Sequence, residues 1–212
     1  MIKININEKA YAEHIIFNNA KFEVDEGKMI AIKGASGSGK STLLAIIGLL
    51  ENFDGDYYIN DNLINKKNKD EFRKNYFSYV FQKSYLIPYL NVKDNIVMPI
   101  KNLKKKIDLD LYRNVINSLG ISELEERFPH NLSGGEAQRV SIARAFMSNR
   151  KIMLCDEPTG SLDPENSKIV FDALANICKN QKYTIIVVTH SNDFDSYFDE
   201  IYYIKDKKVL KI

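Results

Sequence analysis

The run Gly34-Ala35-Ser36-Gly37-Ser38-Gly39-Lys40-Ser41-Thr42 constrains this chain more than any other stretch. It follows Lys28-Met29-Ile30-Ala31-Ile32-Lys33, which reads as a buried strand, and it runs into Leu43-Leu44-Ala45-Ile46-Ile47-Gly48-Leu49-Leu50, which reads as a helix. Strand, glycine loop and helix in that order make a phosphate-binding loop. Glycines lack Cβ, so successive backbone N–H groups can turn inward around a polyphosphate, and the N-terminus of the following helix adds partial positive charge. Lys40 is expected to reach the β- and γ-phosphates, and Ser41 to offer its hydroxyl to Mg2+. The pattern G-x-x-x-x-G-K-[ST] would arise by chance in a chain of this length at about the one per cent level. A flexible Gly/Ser turn is therefore the weaker reading, and the residues imply nucleotide binding.

The remainder has room for such a domain. Its 212 residues, 44% hydrophobic and 27% charged, suffice for one large α/β domain with an inserted subdomain. A formal net charge of +2 gives no electrostatic case for nucleic acid as the main partner. The longest apolar run, Leu43 to Leu50, falls far short of the ~20 residues that a bilayer span requires. The opening Met1-Ile2-Lys3-Ile4-Asn5-Ile6 alternates like a strand instead of reading as a signal peptide. A soluble, cytoplasmic chain is expected. Cys155 and Cys178 fall in an expected buried strand and an expected helix, where small core hydrophobes are a simpler reading than a disulfide or a metal site.

Residues 2–6 and Phe22-Glu23-Val24 read as strands, with Glu26-Gly27 as a turn. Tyr11 lies in a polar stretch without strong periodicity, and reads equally as a purine-stacking ring or a surface or hairpin tyrosine. Asp54 to Asp61 is a turn and a β segment, and Lys66 to Asn75 a solvated charged stretch. The strand Tyr79-Val80-Phe81 ends at Gln82, at the carboxyl edge where open α/β sheets bind ligands. From Ser84 to about Asn131, Pro88, Pro99 and Pro129 are expected to break the chain, and Asp108 to Leu119 reads as an amphipathic helix closed by Gly120. This segment reads as a helical insertion, with Lys104-Lys105-Lys106 as plain solvated charge. Leu132-Ser133-Gly134-Gly135-Glu136 then precedes a helix from about Ala137 to Met147, with Val140, Ala143, Ala145 and Met147 expected inward and Arg139 and Arg144 outward. Taken alone it is an ordinary N-cap, although its backbone donors could also meet phosphate.

Lys151-Ile152-Met153-Leu154-Cys155-Asp156-Glu157 is the second anchor. Four apolar residues bury a strand that delivers two carboxylates to its carboxyl end, where burial without a cation is unfavourable. Asp156 is placed to hold Mg2+, directly or through water, and Glu157 is free to take a proton from an attacking water. Asp163-Pro164 caps a helix that runs through Ile169, Ala173 and Ile177. Tyr183 to Thr189 is a buried strand ending at His190, beside the ends that carry Gln82 and Glu157. Ile201 to Ile204 and Lys208 to Ile212 are two short closing strands.

The order Gly34 to Thr42, Gln82, Leu132 to Glu136, Asp156-Glu157, Ser161-Leu162-Asp163 and His190 resembles the nucleotide-binding subunit of ATP-binding cassette (ABC) transporters across essentially the whole chain. In that family these segments look like the Walker A loop, the Q-loop, the signature motif, Walker B with its catalytic glutamate, the D-loop and the switch histidine. The resemblance implies a P-loop NTPase core, a mostly parallel sheet flanked by helices, with an N-terminal antiparallel β subdomain and an inserted α-helical subdomain. Core and β subdomain would take about 1–83 and 150–212, and the helical subdomain about 84–149. It further implies ATP and Mg2+ as cofactors, with Gly34, Ser36, Gly37, Ser38, Gly39, Lys40, Ser41 and Thr42 on the phosphates and Tyr11 on adenine. Ser133, Gly134, Gly135 and Asp163 would serve the nucleotide of a second copy, and Ser41, Gln82 and Asp156 the metal. Glu157, His190 and Gln82 would be the catalytic set. No motif is degenerate, so a working ATPase is implied.

Leu43 to Glu51, Val80-Phe81-Gln82, Leu86-Ile87-Pro88, Asn91 to Ile96 and Asp156 to Gly160 look like the branch serving lipoprotein release, macrolide export and antimicrobial-peptide export. Asn91, where threonine is common, and Asp61, where glycine is usual, depart from it. The chain's length implies no appended regulatory domain. Partners implied are a separately encoded transmembrane permease and a second copy of the chain, at the inner face of the cell membrane. An importer or division-linked ATPase is the alternative. A soluble clamp in DNA repair or translation lacks the coiled-coil heptads or second cassette it would need.

Overall fold

Alternation decides the first element: Ile2, Ile4 and Ile6 are buried, and Lys3 and Asn5 between them are partly exposed. In the computed structural model, which describes residues 1–103, 106–160 and 162–212, β1 (Ile2–Tyr11) pairs antiparallel with β2 (His14–Val24) and β4 (Asp54–Ile59). With β5 (Asn62–Leu63) they make a sheet in the order β2-β1-β4-β5. The register with β4 shifts between Ile6 and Glu8, after which Lys9 faces inward. This irregularity hides the strand's second half from a simple alternation, and Tyr11 ends β1 opposite His14 in the hairpin with β2.

The second sheet holds β3 (Met29–Gly34), β6 (Phe77–Val80), β7 (Ile152–Asp156), β8 (Thr184–Val188), β9 (Glu200–Lys205) and β10 (Lys208–Lys211), in the order β10-β9-β3-β8-β7-β6. All neighbours are parallel except the β9–β10 edge pair. Its central strands are apolar on both faces because two cores cover them. Met29, Met153, Cys155, Ile185 and Val187 face the helical side, and Ile30, Ile32, Leu154, Ile186 and Val188 face the side built with the first sheet. Cys155 and Cys178 are both buried free thiols in the helical core, as core hydrophobes should be.

Between strands run α1 (Lys40–Ile47), α2 (Lys69–Tyr76), α3 (Val92–Asn102), α4 (Leu109–Ser118), α5 (Gly134–Met147) and α6 (Pro164–Gln181). α1 starts and stops earlier than its apolar run suggests, because Gly48 ends it and Leu49 turns left-handed at φ 60°. Asp108 caps α4 by accepting from the N–H groups of Asp110 and Leu111. Pro99 does not break the chain: it sits inside α3, which continues to Asn102. Buried Asn95 on that helix donates to the carbonyls of Ile87, Leu90 and Asn91, fixing the preceding loop that contains Pro88. Pro129 opens a short 3-10 turn, Pro129–Asn131. Of the lysine triplet, Lys104 and Lys105 lie outside the described residues, as does Ser161.

Candidate nucleotide site

Sheet register places the site. Ile32 pairs with Val188, Val188 with Asp156, and Val80 with Cys155, so the carboxyl ends of β3, β8, β7 and β6 lie side by side. The phosphate loop, His190, Glu157 and Gln82 all leave from that edge. Gly37 and Gly39 take positive φ, 74° and 103°. At Gly39 a Cβ would come within 2.5 Å of Ile16 Cγ2 and 3.0 Å of Phe17 Cζ, so only glycine lets β2 pack this close to the loop. No side chain caps α1 and its first turn holds no acid, leaving its N-terminal amides and their partial charge for an anion. Among the described residues Ser38 Oγ is buried without a hydrogen-bond partner, an orphan that a bound phosphate would satisfy. Lys40 Nζ folds back onto the carbonyls of Gly34 and Ala35 at 3.0 and 2.9 Å.

β7 delivers the carboxylates. Ser41 Oγ lies 3.4 Å from Asp156 Oδ1, tying the start of α1 to the end of β7. Burial pushes the Asp156 carboxyl above the usual carboxylate range; the Ser41 hydroxyl opposes this and the Glu157 charge adds to it. Glu157 adopts a left-handed φ of 46°, a conformation costly for a residue with a long side chain and characteristic of functional sites. Its N–H donates to Val188 O at 2.9 Å, and its own carbonyl accepts from Gly160. The side chain is thereby aimed between two partners: Gln82 Nε2 donates to Oε2 at 3.3 Å, and His190 Nδ1 stands 3.2 Å from Oε1. Residues far apart in sequence thus converge on one carboxylate.

Two further expected groups lie at the starts of α5 and α6 and at the end of β1. Ser133 caps α5 by accepting from the Glu136 N–H while Glu136 accepts from the Ser133 N–H, a complete capping box. Gly134 has open space where a Cβ would go, and at Gly135 a Cβ would come within 2.9 Å of Leu162 Cδ2. Leu162 precedes Asp163, whose side chain accepts from the Asn166 N–H and caps α6. Tyr11 is 45% exposed, with Lys9 Nζ over its ring at 4.4 Å.

The two arginines read as outward are not. Arg139 is buried and bonds Asn166; Arg144 donates to Tyr85 O and Ser84 O, both at 2.9 Å. Gln138 Nε2 likewise donates to Phe81 O at 3.0 Å. Gln138 and Arg144 therefore hold the backbone on both sides of Gln82, a role with no signal in the sequence. Neighbouring elements cover α5 on nearly every side, so its polar residues serve buried carbonyls instead of water.

A phosphate loop followed by a helix, with paired carboxylates two strands away across β8, defines a P-loop nucleotide-binding ATPase domain. The family model for "ABC transporter" matches residues 17–160. The ATP-binding protein HrtA of Staphylococcus haemolyticus, named for hemin import, is 39% identical over 203 residues, 93% of this chain and 92% of that protein. The lipoprotein-releasing system ATP-binding protein LolD of Rickettsia bellii is 36% identical over 193 residues, 90% and 86% of the two chains. Among solved structures, a dimeric post-hydrolysis state of the ATP-binding cassette MJ0796 of Methanocaldococcus jannaschii, bound to ADP and Pi, has a TM-score of 0.84 at 30% identity, covering 100% of this chain and 98% of that one. The chain belongs to the ABC transporter family and is one of its ATP-binding ATPases.

Proposed function

We propose that this chain powers a membrane exporter of the lipoprotein-release, macrolide or antimicrobial-peptide type, through ATP-driven pairing of two copies. The carrying observation is the Glu157 carboxylate, held between Gln82 and His190 at the sheet edge that also bears the phosphate loop. Lys40 leaves the Gly34 and Ala35 carbonyls for the β- and γ-phosphates, and the amides of Gly34 to Thr42 cradle them. Ser41, Asp156 and Gln82 would hold Mg2+. The hydroxyl, carboxylate and amide oxygens of these three are hard donors that suit Mg2+, and Ser41 Oγ lies 3.4 Å from Asp156 Oδ1. Bound there, the ion neutralises charge on the phosphates. Glu157 accepts the proton of the attacking water, and His190 faces the γ-phosphate. Adenine stacks on the Tyr11 face opposite Lys9.

Ser133, Gly134 and Gly135 of one copy meet the γ-phosphate held by the other, with Asp163 beside them. The capping box uses the Ser133 and Glu136 N–H groups, and Gly134 beside it faces open space, which supports this reading. ATP then binds the closed pair better than the open one, and hydrolysis removes that difference. Residues about 84–149 act as a helical subdomain on a core and β subdomain of about 1–83 and 150–212. No helix of the described residues is long and apolar enough to cross a membrane. In this reading a separately encoded permease supplies the spans, with this chain peripheral at the inner face. Phe81, Tyr85 and Tyr89, which are 44%, 66% and 78% exposed around Gln82 and its loop, supply apolar surface for that partner.

An importer is the second reading, favoured by the 39% identity to a protein named for hemin import. Purification of the tagged chain from detergent-solubilised membranes tests the transporter role. Stoichiometric recovery of a multi-span protein whose presence alters ATP turnover is expected. A chain that leaves the membrane fraction alone would contradict it.

A further inference from the structure

Lys33 is the last residue before Gly34 on β3, and its side chain is only 6% exposed. An ammonium that deep requires partners. It finds them in one place: Nζ donates to Asn192 Oδ1 at 2.8 Å and pairs with the Asp195 carboxylate. Both partners lie in the loop that leaves β8 through His190. That ring is 69% exposed, so little packing holds it, and among the described residues its side-chain hydrogen-bond partner is Glu157. The ring's position therefore depends on its backbone. Near the ring the backbone is tied to β3 by the Thr189 N–H on Ile32 O at 3.2 Å and by Lys33, and the far end of the loop by Asp199, whose N–H donates to Met29 O at 2.8 Å.

We propose that Lys33 is a positioning residue for ATP turnover: it moors the loop carrying His190 to the strand that carries the phosphate loop. The histidine and the γ-phosphate cradle then keep one geometry while nucleotide comes and goes. This rests on the role given to His190 above. The same ion pair could merely add stability, and the difference is measurable. Lys33→Met leaves no buried charge behind, because Asp195 is 40% exposed and free to hydrate, and the variant is expected to fold.

Steady-state turnover is measured for the full chain, Lys33→Met, Asp195→Asn, His190→Ala and the double variant Lys33→Met/His190→Ala. Lys33→Met is expected to lower kcat about tenfold with KM for ATP within about twofold, Asp195→Asn less, and Lys33→Met to cost nothing further once His190 is gone. In nucleotide-free protein, the ring 15N–1H signals of the three histidines give an independent reading. Those of His190 should shift or broaden in Lys33→Met, while those of His14 and His130 stay. Parental turnover in Lys33→Met beside a crippled His190→Ala, an equal loss in both backgrounds, or an unmoved His190 signal would overturn the mooring role alone. Parental turnover in His190→Ala would instead overturn the histidine's role, and this inference with it.

Discussion

Nδ1 of His190 lies 3.2 Å from Oε1 of Glu157, across the gap between the ends of β8 and β7. A carboxylate oriented in this way, beside a phosphate loop, is placed to accept a proton from water. Glu157→Gln keeps the shape and the left-handed backbone but loses that basicity. Its turnover is expected to fall by at least about 100-fold with ATP affinity retained. Single-turnover hydrolysis and equilibrium nucleotide binding check the two halves separately, and near-parental hydrolysis would remove Glu157 as the base.

Asp156 couples stability to function with opposite signs. Burial raises its folded-state carboxyl above the unfolded value, so the stability linked to this group is greatest at acid pH. It is lost as pH rises from the unfolded pKa through the folded one. In Mg2+-free buffer at pH 7, Asp156→Asn should therefore raise Tm, while Mg2+-dependent turnover collapses. A lower Tm in that buffer would mean that Asp156 is not penalised by burial.

Among the described residues the Lys40 ammonium hydrogen-bonds to carbonyl oxygens of its own loop, at 3.0 and 2.9 Å, so its removal should barely disturb the fold. Lys40→Met is expected to weaken ATP binding about tenfold or more, with thermal stability nearly unchanged. Calorimetric titration reads this directly. Unchanged affinity would count against the phosphate loop as the triphosphate site.

Ser133 caps α5 at an exposed helix start. An arginine there would lose the cap, at a cost of about 1 kcal/mol, and project into whatever faces it. Ser133→Arg should bind ATP as a monomer with parental affinity yet fail to pair. Parental pairing by light scattering would refute the exchange of signature segments between copies.

Much of this was readable from residues alone, for a physical reason. The central strands are apolar on both faces, so each polar residue at a strand's carboxyl end stands out: Gln82, Asp156, Glu157 and His190 all do. The phosphate loop was legible because Gly37 and Gly39 take φ values that other residues resist. The register between strands was not legible, and together with the grip of Gln138 and Arg144 on the neighbouring carbonyls it brings Gln82 within 3.3 Å of Glu157. Arg139 and Arg144 misled because charge on a helix usually marks a solvent face, and α5 has almost none. Pro99 misled because α3 tolerates a proline late in its run. Tyr11 showed no periodicity because the register shift between Ile6 and Glu8 breaks the alternation of β1, yet its reading as a surface or hairpin tyrosine fits its pairing with His14 at the β1–β2 turn.

The most direct measurement is the mass of Glu157→Gln in solution with Mg-ATP, then after exchange into ADP. One chain is 24.4 kDa. With ATP the expected species is a dimer of about twice that mass that returns to monomer in ADP. A species that stays at 24.4 kDa with saturating ATP and protein far above micromolar concentration would contradict nucleotide-driven pairing.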